Sequence, residues 1–256
     1  MDKGNKRMNM PLVSIVTCVY ERQEFLPYLI NQIKAQDFPH AYLEWIIMDD
    51  SQTSTDVFQN LSRTSNSNFG PDLDEEPPFD LDGISVYYYH LDQKISLGEK
   101  RTLLNRKCRG DYIVVCDDDD YYPPTRVSHG VNMLYFHPNY QIAGVDTVYL
   151  YFTDTRQIYQ SPATFTNHAL CNTLVYTKAY SLEHHFGLVD YGEESIFTKE
   201  WKEPLLQLDP FQTVLMIAHE RNTIDKQPFR PFLKKVNLRL DHFIQGSNLI
   251  FCEGQV

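Results

Sequence analysis

Tyr112-Ile113-Val114-Val115-Cys116-Asp117-Asp118-Asp119-Asp120 decides how the chain is read. Its first half is apolar and β-branched, as a buried strand requires, and its second half is four carboxylates. A buried strand that ends in carboxylates delivers dense negative charge to one edge of a sheet, and in open α/β sheets that edge is where ligands bind. Side chains alternate along an extended strand, so continued extension places Asp117 and Asp119 on one face and Asp118 and Asp120 on the other. Two carboxylates on one face repel, and a bound divalent ion is the simplest way to keep both ionised. A solvated acidic loop is the plain alternative for such a run. The apolar strand before it and the stiff Tyr121-Tyr122-Pro123-Pro124 after it favour a metal or nucleotide role.

Upstream, the same grammar repeats. Leu12-Val13-Ser14-Ile15-Val16-Thr17 is a short β-branched run, and Phe25, Leu26, Leu29, Ile30 and Ile33 then recur at helical spacing over residues 24–36. A second apolar run over 43–48 ends in Asp49-Asp50-Ser51, which begins the βαβ pattern of a parallel sheet. Residues 62–83 shift to Ser, Asn, Asp, Glu and Pro and predict a long exposed loop. A strand over 84–89 and a helix over 98–109 then feed the aspartate-tipped strand. Downstream, short strands are predicted over 142–145, 148–152 and 173–176. Tyr191-Gly192-Glu193-Glu194 enters a helix with an acidic first turn, and an apolar run over 213–218 ends in His219. The basic, apolar-alternating tail (Arg230, Lys234, Lys235, Arg239) is expected to pack as a helix or to act as a lid.

The chain has 256 residues, enough for one α/β domain of ordinary upper size, expected over 1–256. Within it, 11–125 is expected to form a βαβ half, 126–222 a half of mixed strands, and 223–256 a C-terminal tail or lid. A net charge of −11 argues against a nucleic-acid surface, because phosphate binding needs concentrated Lys and Arg. Five cysteines without paired spacing suggest reduced thiols and make zinc a poor fit. No stretch has the apolar length of a membrane span and residues 1–10 lack a signal core, so a soluble, cytoplasmic protein is expected.

Five polar clusters thus fall at strand exits: Thr17 to Arg22, Asp49-Asp50, Asp117 to Asp120, Glu193-Glu194 and His219. In this order, with Lys100-Arg101 and Gly110-Asp111 before the aspartates, the chain resembles the family 2 glycosyltransferases of the GT-A fold over roughly residues 11–222. The resemblance implies a mostly parallel Rossmann-like sheet flanked by helices, and a sugar-nucleotide-dependent transferase. It implies that Asp49 and Asp50 recognise base and ribose, with Thr17, Tyr20 and Arg22 lining the same pocket, against simple turn capping and packing as alternatives. Lys100 and Arg101 would face the diphosphate, where a guanidinium helps a leaving group that gains charge. The resemblance makes 11–125 the nucleotide-sugar-binding half and 126–222 the acceptor and catalytic half, and the aspartate run the DxD motif: Asp119 the most direct ligand of Mn²⁺ or Mg²⁺, Asp117 reaching ribose or a metal-bound water, His219 completing the metal site, Asp117 and Asp118 counted also with the nucleotide-sugar pocket, and Asp118 and Asp120 alternatives in register. Glu193-Glu194 would be the acidic pair whose second member deprotonates the acceptor; Glu stands where Asp is usual, so the choice between the two stays open.

The implied reaction is inverting transfer from a nucleoside-diphosphate sugar, a UDP-sugar first and GDP- or dTDP-sugars next, to a hydroxyl of a glycan, lipid or protein. Two other functions compete. A nucleotidyltransferase would use a similar sheet, but Cys18-Val19-Tyr20-Glu21 lacks the glycine-rich phosphate loop. A non-catalytic cation- or glycan-binding module would hold Ca²⁺ at the aspartates.

Overall fold

The computed structural model describes residues 10–63 and 77–244. Strand β1 (Val13–Val19) is buried along its whole length and lies at the centre of an eight-stranded sheet. It pairs in parallel with β2 (Leu43–Asp49) on one side and β5 (Tyr112–Val115) on the other, and β2 pairs in parallel with β4 (Ile84–His90). Strands buried on both faces must be apolar on both, which is why these runs show no alternation.

Two helical layers cover the sheet. Val13, Ile15 and Val19 join Leu26, Leu29 and Ile33 of α1 (Leu26–Lys34) and Val127, Val131 and Leu134 of α3 (Arg126–Phe136) in one core. Val16 and Cys18 face the other way. They pack with Leu104 of α2 (Leu97–Lys107), Tyr180 of α4 (Lys178–Glu183) and Phe197 of α5 (Glu193–Phe197).

The flanks are mixed. β3 (Phe79–Leu81) lies antiparallel on β4 at one edge; the predicted loop over 62–83 is therefore a strand at its end, and residues 64–76 lie outside the described residues. At the other edge β9 (Val175–Thr177) runs antiparallel between β5 and β6 (Ile142–Gly144), and β10 (Leu206–Gln207) closes the sheet. A second sheet has the order β11-β7-β8-β12, from β7 (Tyr149–Phe152), β8 (Gln157–Gln160), β11 (Leu215–Ala218) and β12 (Lys234–Lys235). Among its described residues, 223–244, the tail neither forms an α-helix nor stands apart as a lid: it makes 3-10 turns at Gln227–Phe232 and Leu240–His242 and pairs β12 onto β8. No helix among the described residues is long and apolar enough to cross a membrane.

Candidate active site

The C-terminal ends of β1, β2, β4 and β5 open on one side, as a parallel sheet dictates. A cleft of 310 Å³ lies there. Tyr20 and Arg22 follow β1 into it. Asp117, Asp119 and Asp120 reach it from β5, Lys100 and Arg101 from α2, Glu193 and Glu194 from the start of α5, and Asn222 from beyond β11.

Extension does not persist through the aspartates. A turn over Asp118 and Asp119 ends it, so Asp120 lines the cleft together with Asp117 and Asp119, while Asp118 turns away and is buried. Arg22 pairs with both members of the turn, Nη2 lying 2.8 Å from Asp118 Oδ1 and Nη1 2.7 Å from Asp119 Oδ2. The first is an ion pair without hydrogen-bond geometry, and neither Asp118 oxygen has a hydrogen-bond donor among the described residues. Burial therefore drives the Asp118 carboxyl well above its ordinary range despite Arg22. Asp119 goes the other way. Burial raises it, but the hydrogen bond with His219 and the charges of Arg22 and Lys226 outweigh burial and hold it below the usual range. Asp120 is pushed up to about 6 by burial. It accepts from Ile217 N at 2.9 Å and from Asn172 Nδ2, which ties β5 to the second sheet.

Arg101 forms the opposite wall. Its Nη2 donates to Asp117 Oδ1 and its Nε to Glu193 Oε1, both at 3.0 Å, and its remaining Nη1 has no partner among the described residues. Glu193 is buried by this contact. Glu194 is half-buried, lines the cleft and has no ion-pair partner among the described residues. Burial, and then the charge of Glu193, raise its pKa above the ordinary value. Gly192 makes the entry to α5 possible: its φ of 69° is the left-handed conformation that glycine adopts without strain.

Three sequence expectations are corrected. Thr17 is fully buried on the α1 side, where it accepts from Trp45 Nε1 and donates to Cys116 O; Cys18, one residue on, faces the cleft instead. Asp49 and Asp50 do not line the cleft. Asp49 accepts from Tyr88 Oη, Gln23 Nε2 and Ser51 N, and Asp50 from Lys100 Nζ and Ile95 N, so each oxygen of both carboxylates is already engaged by the protein. The donor set of Asp117, Asp119 and His219 is not gathered at one point either. Among the described residues no three His, Cys, Asp or Glu side chains are arranged to hold a metal, because Asp117 is turned to Arg101.

What remains, Asp119 with His219, is a pair of donors that a divalent ion accepts. Asp119 Oδ2 and His219 Nε2 lie 3.4 Å apart, an oxygen and a nitrogen donor of the kind Mn²⁺ accepts. Asn222 steadies both, its Nδ2 lying 3.0 Å from each. Sequence reasoning missed Asn222, Asn172, Lys226 and Lys94. The asparagines carry no motif of their own, and Lys94, whose Nζ sits 4.1 Å above the Tyr20 ring, lies in an irregular stretch between β4 and α2.

A family model for glycosyl transferase family 2 matches residues 14–190, more than half of the chain. The chain belongs to glycosyl transferase family 2. The nucleotidyltransferase and non-catalytic readings fall with that match. No curated protein sequence matches the chain. Among solved structures, TarS of S. aureus in complex with UDP-GlcNAc aligns with a TM-score of 0.58 at 15% identity, over 86% of this chain and 64% of that one. The mannosyltransferase PcManGT from Pyrobaculum calidifontis, in complex with GDP-Man and Mn²⁺, aligns at 0.56 and 13% identity, over 88% and 68%. Another TarS structure is covered over 38% of its length, so this family 2 glycosyltransferase spans less than two thirds of the TarS chains it resembles. At these identities the likeness is one of fold, the GT-A fold.

Proposed function

We propose that this glycosyltransferase is metal-dependent and inverting, and that it moves a sugar from a nucleoside-diphosphate sugar to an acceptor hydroxyl. The observation that carries the reading is the division of the acidic pair. Glu193 is committed to Arg101, whereas Glu194 faces the cleft unpaired. A carboxylate desolvated in this way holds a proton more strongly than an exposed one, which suits a general base, a role worth on the order of 10²–10⁴ in rate.

In the step, Glu194 takes the acceptor proton and the acceptor oxygen bonds to the anomeric carbon from the face opposite the diphosphate. The bond from that carbon to the diphosphate oxygen breaks, and its electron pair leaves with the nucleoside diphosphate. One displacement inverts the centre. The free Nη1 of Arg101 supports placing the diphosphate beside it, since an orphaned buried guanidinium N–H is costly until it meets an anionic oxygen. Asp119 and His219 would hold Mn²⁺ or Mg²⁺, which when bound offsets charge developing on the leaving group. UDP, UDP-GlcNAc and GDP-Man in the structural neighbours support a nucleoside-diphosphate sugar, with a UDP-sugar favoured.

Melting measured with UDP, GDP and dTDP, with and without Mn²⁺, tests the donor and metal parts together. One diphosphate should raise the melting temperature, by about 2.7 kcal/mol of stabilisation at a hundredfold excess over Kd. Mn²⁺ should add to that rise in the wild type and not in Asp119→Ala. Transfer that persists undiminished in chelator would overturn the metal role.

A further inference from the structure

The mouth of the cleft has an apolar feature. Of the exposed large apolar side chains among the described residues, only Tyr191 and Ile224 also line the cleft, at 62% and 49% exposure. They come from separate segments of the chain. Tyr191 lies three residues before Glu194 on the approach to α5, and Ile224 follows the turn whose Asn222 grips Asp119. Gly192 separates Tyr191 from the helix in a left-handed turn, and a side chain placed on Gly192 would meet nothing within 4 Å, so the space beside Tyr191 is open. An exposed aromatic ring leaves apolar area in water, and ligand pockets use such rings as walls with a few polar groups fixing orientation.

The residues next to Tyr191 are acidic. Asp190, Glu193 and Glu194 surround Tyr191 in sequence and all line the cleft. Arg101, the cation bonded to Glu193, is buried and shared with Asp117. The other cations of the cleft are placed elsewhere, Lys94 over the Tyr20 ring, Lys226 on Ile217 O, Lys100 on Asp50 and Arg22 on Asp118 and Asp119, so an acceptor carrying phosphate or carboxylate beside Tyr191 would meet carboxylates first, and like charges in a partly dry cleft repel strongly.

We infer that Tyr191 and Ile224 form the acceptor subsite, and that it takes a neutral glycoside whose apolar ring face lies on Tyr191 while one hydroxyl reaches Glu194. The inference rests on Glu194 as base. Its test is acceptor kinetics with a nucleotide sugar that the wild type hydrolyses and a panel of p-nitrophenyl glycosides, the neutral glucoside, galactoside and N-acetylglucosaminide against the glucuronide.

Wild-type protein should transfer to at least one neutral glycoside and prefer it to the glucuronide. Tyr191→Ala should raise the acceptor KM about tenfold, the size of a lost aromatic contact, and lower the ratio of transfer to donor hydrolysis. Its melting shift with the nucleoside diphosphate should persist, and Tyr191→Phe should restore the acceptor KM. Preference for the glucuronide, hydrolysis without transfer to any neutral glycoside, or an unchanged acceptor KM in Tyr191→Ala would overturn the inference while leaving the donor site standing. Absence of both hydrolysis and nucleotide-dependent stabilisation in the wild type would overturn the donor reading and the subsite with it.

Discussion

Glu193 and Glu194 are neighbours in sequence and opposites in situation. Sequence reasoning left the choice between them open, and the Arg101 guanidinium separates them by engaging only the first. Glu194→Gln should lower transfer by about 10²–10⁴ while leaving the nucleotide-dependent melting shift in place. The pH dependence follows from the sign of its shift. Burial and Glu193 raise its pKa, so on acidification the base is protonated earlier than an ordinary glutamate, whose value is about 4.3. The acid limb of kcat/KM should therefore fall at an apparent pKa above about 4.3 and vanish from the residual activity of Glu194→Gln. The same shift means that charged Glu194 lowers folding stability once pH rises above the unfolded pKa. Other residue roles were legible from parity alone. Thr17 shares its strand face with Val13, Ile15 and Val19, all core residues, so the alternation of β1 already sends Thr17 inward and Cys18 toward the cleft side. Asp49 and Asp50 were not legible, because whether a carboxylate meets ligand or protein depends on Tyr88, Gln23 and Lys100 arriving from elsewhere.

At the scale of elements, the parallel core was plain in the sequence because β1, β2, β4 and β5 are mostly apolar runs that end at polar residues, with Ser14, Thr17, Glu44 and Ser85 the buried polar exceptions. The antiparallel β9 between β5 and β6 was not, since strands of three residues carry no period. Helix α2 is the element that most directly positions the site. It presents Lys100 and Arg101, and Gly98 lets it sit against the chain that leads to α5: a Cβ there would lie 2.6 Å from Phe186 O and 2.7 Å from Gly187 O. Backbone atoms cannot swing aside, so Gly98→Ala should cost about 1–3 kcal/mol of stability. At roughly 2–4 °C per kcal/mol for a chain of this size, a thermal melt resolves it. Because α2 must shift, affinity for the nucleoside diphosphate should fall in the same variant.

Among the described residues the molecule is two sheets meeting at the aspartates. Tyr121 bridges to Leu215, and Asp120 accepts from Ile217 N, so the run that opens the cleft also fastens β11 and its His219 to the main sheet. The sequence showed that the run mattered but not this second duty, which needs a partner strand about a hundred residues away. Asp120→Ala should leave a buried backbone N–H unpaired, at a cost of about 1–3 kcal/mol by denaturant melt, and should weaken Mn²⁺ binding by loosening His219. The central claim concerns the reaction that both sheets frame. Its most direct measurement is combined ¹H and ³¹P NMR of wild-type protein with diamagnetic Mg²⁺, UDP-, GDP- and dTDP-α-sugars and a neutral glycoside acceptor: release of a nucleoside diphosphate with a β-linked product is predicted, and an α-linked product or release of pyrophosphate would contradict it.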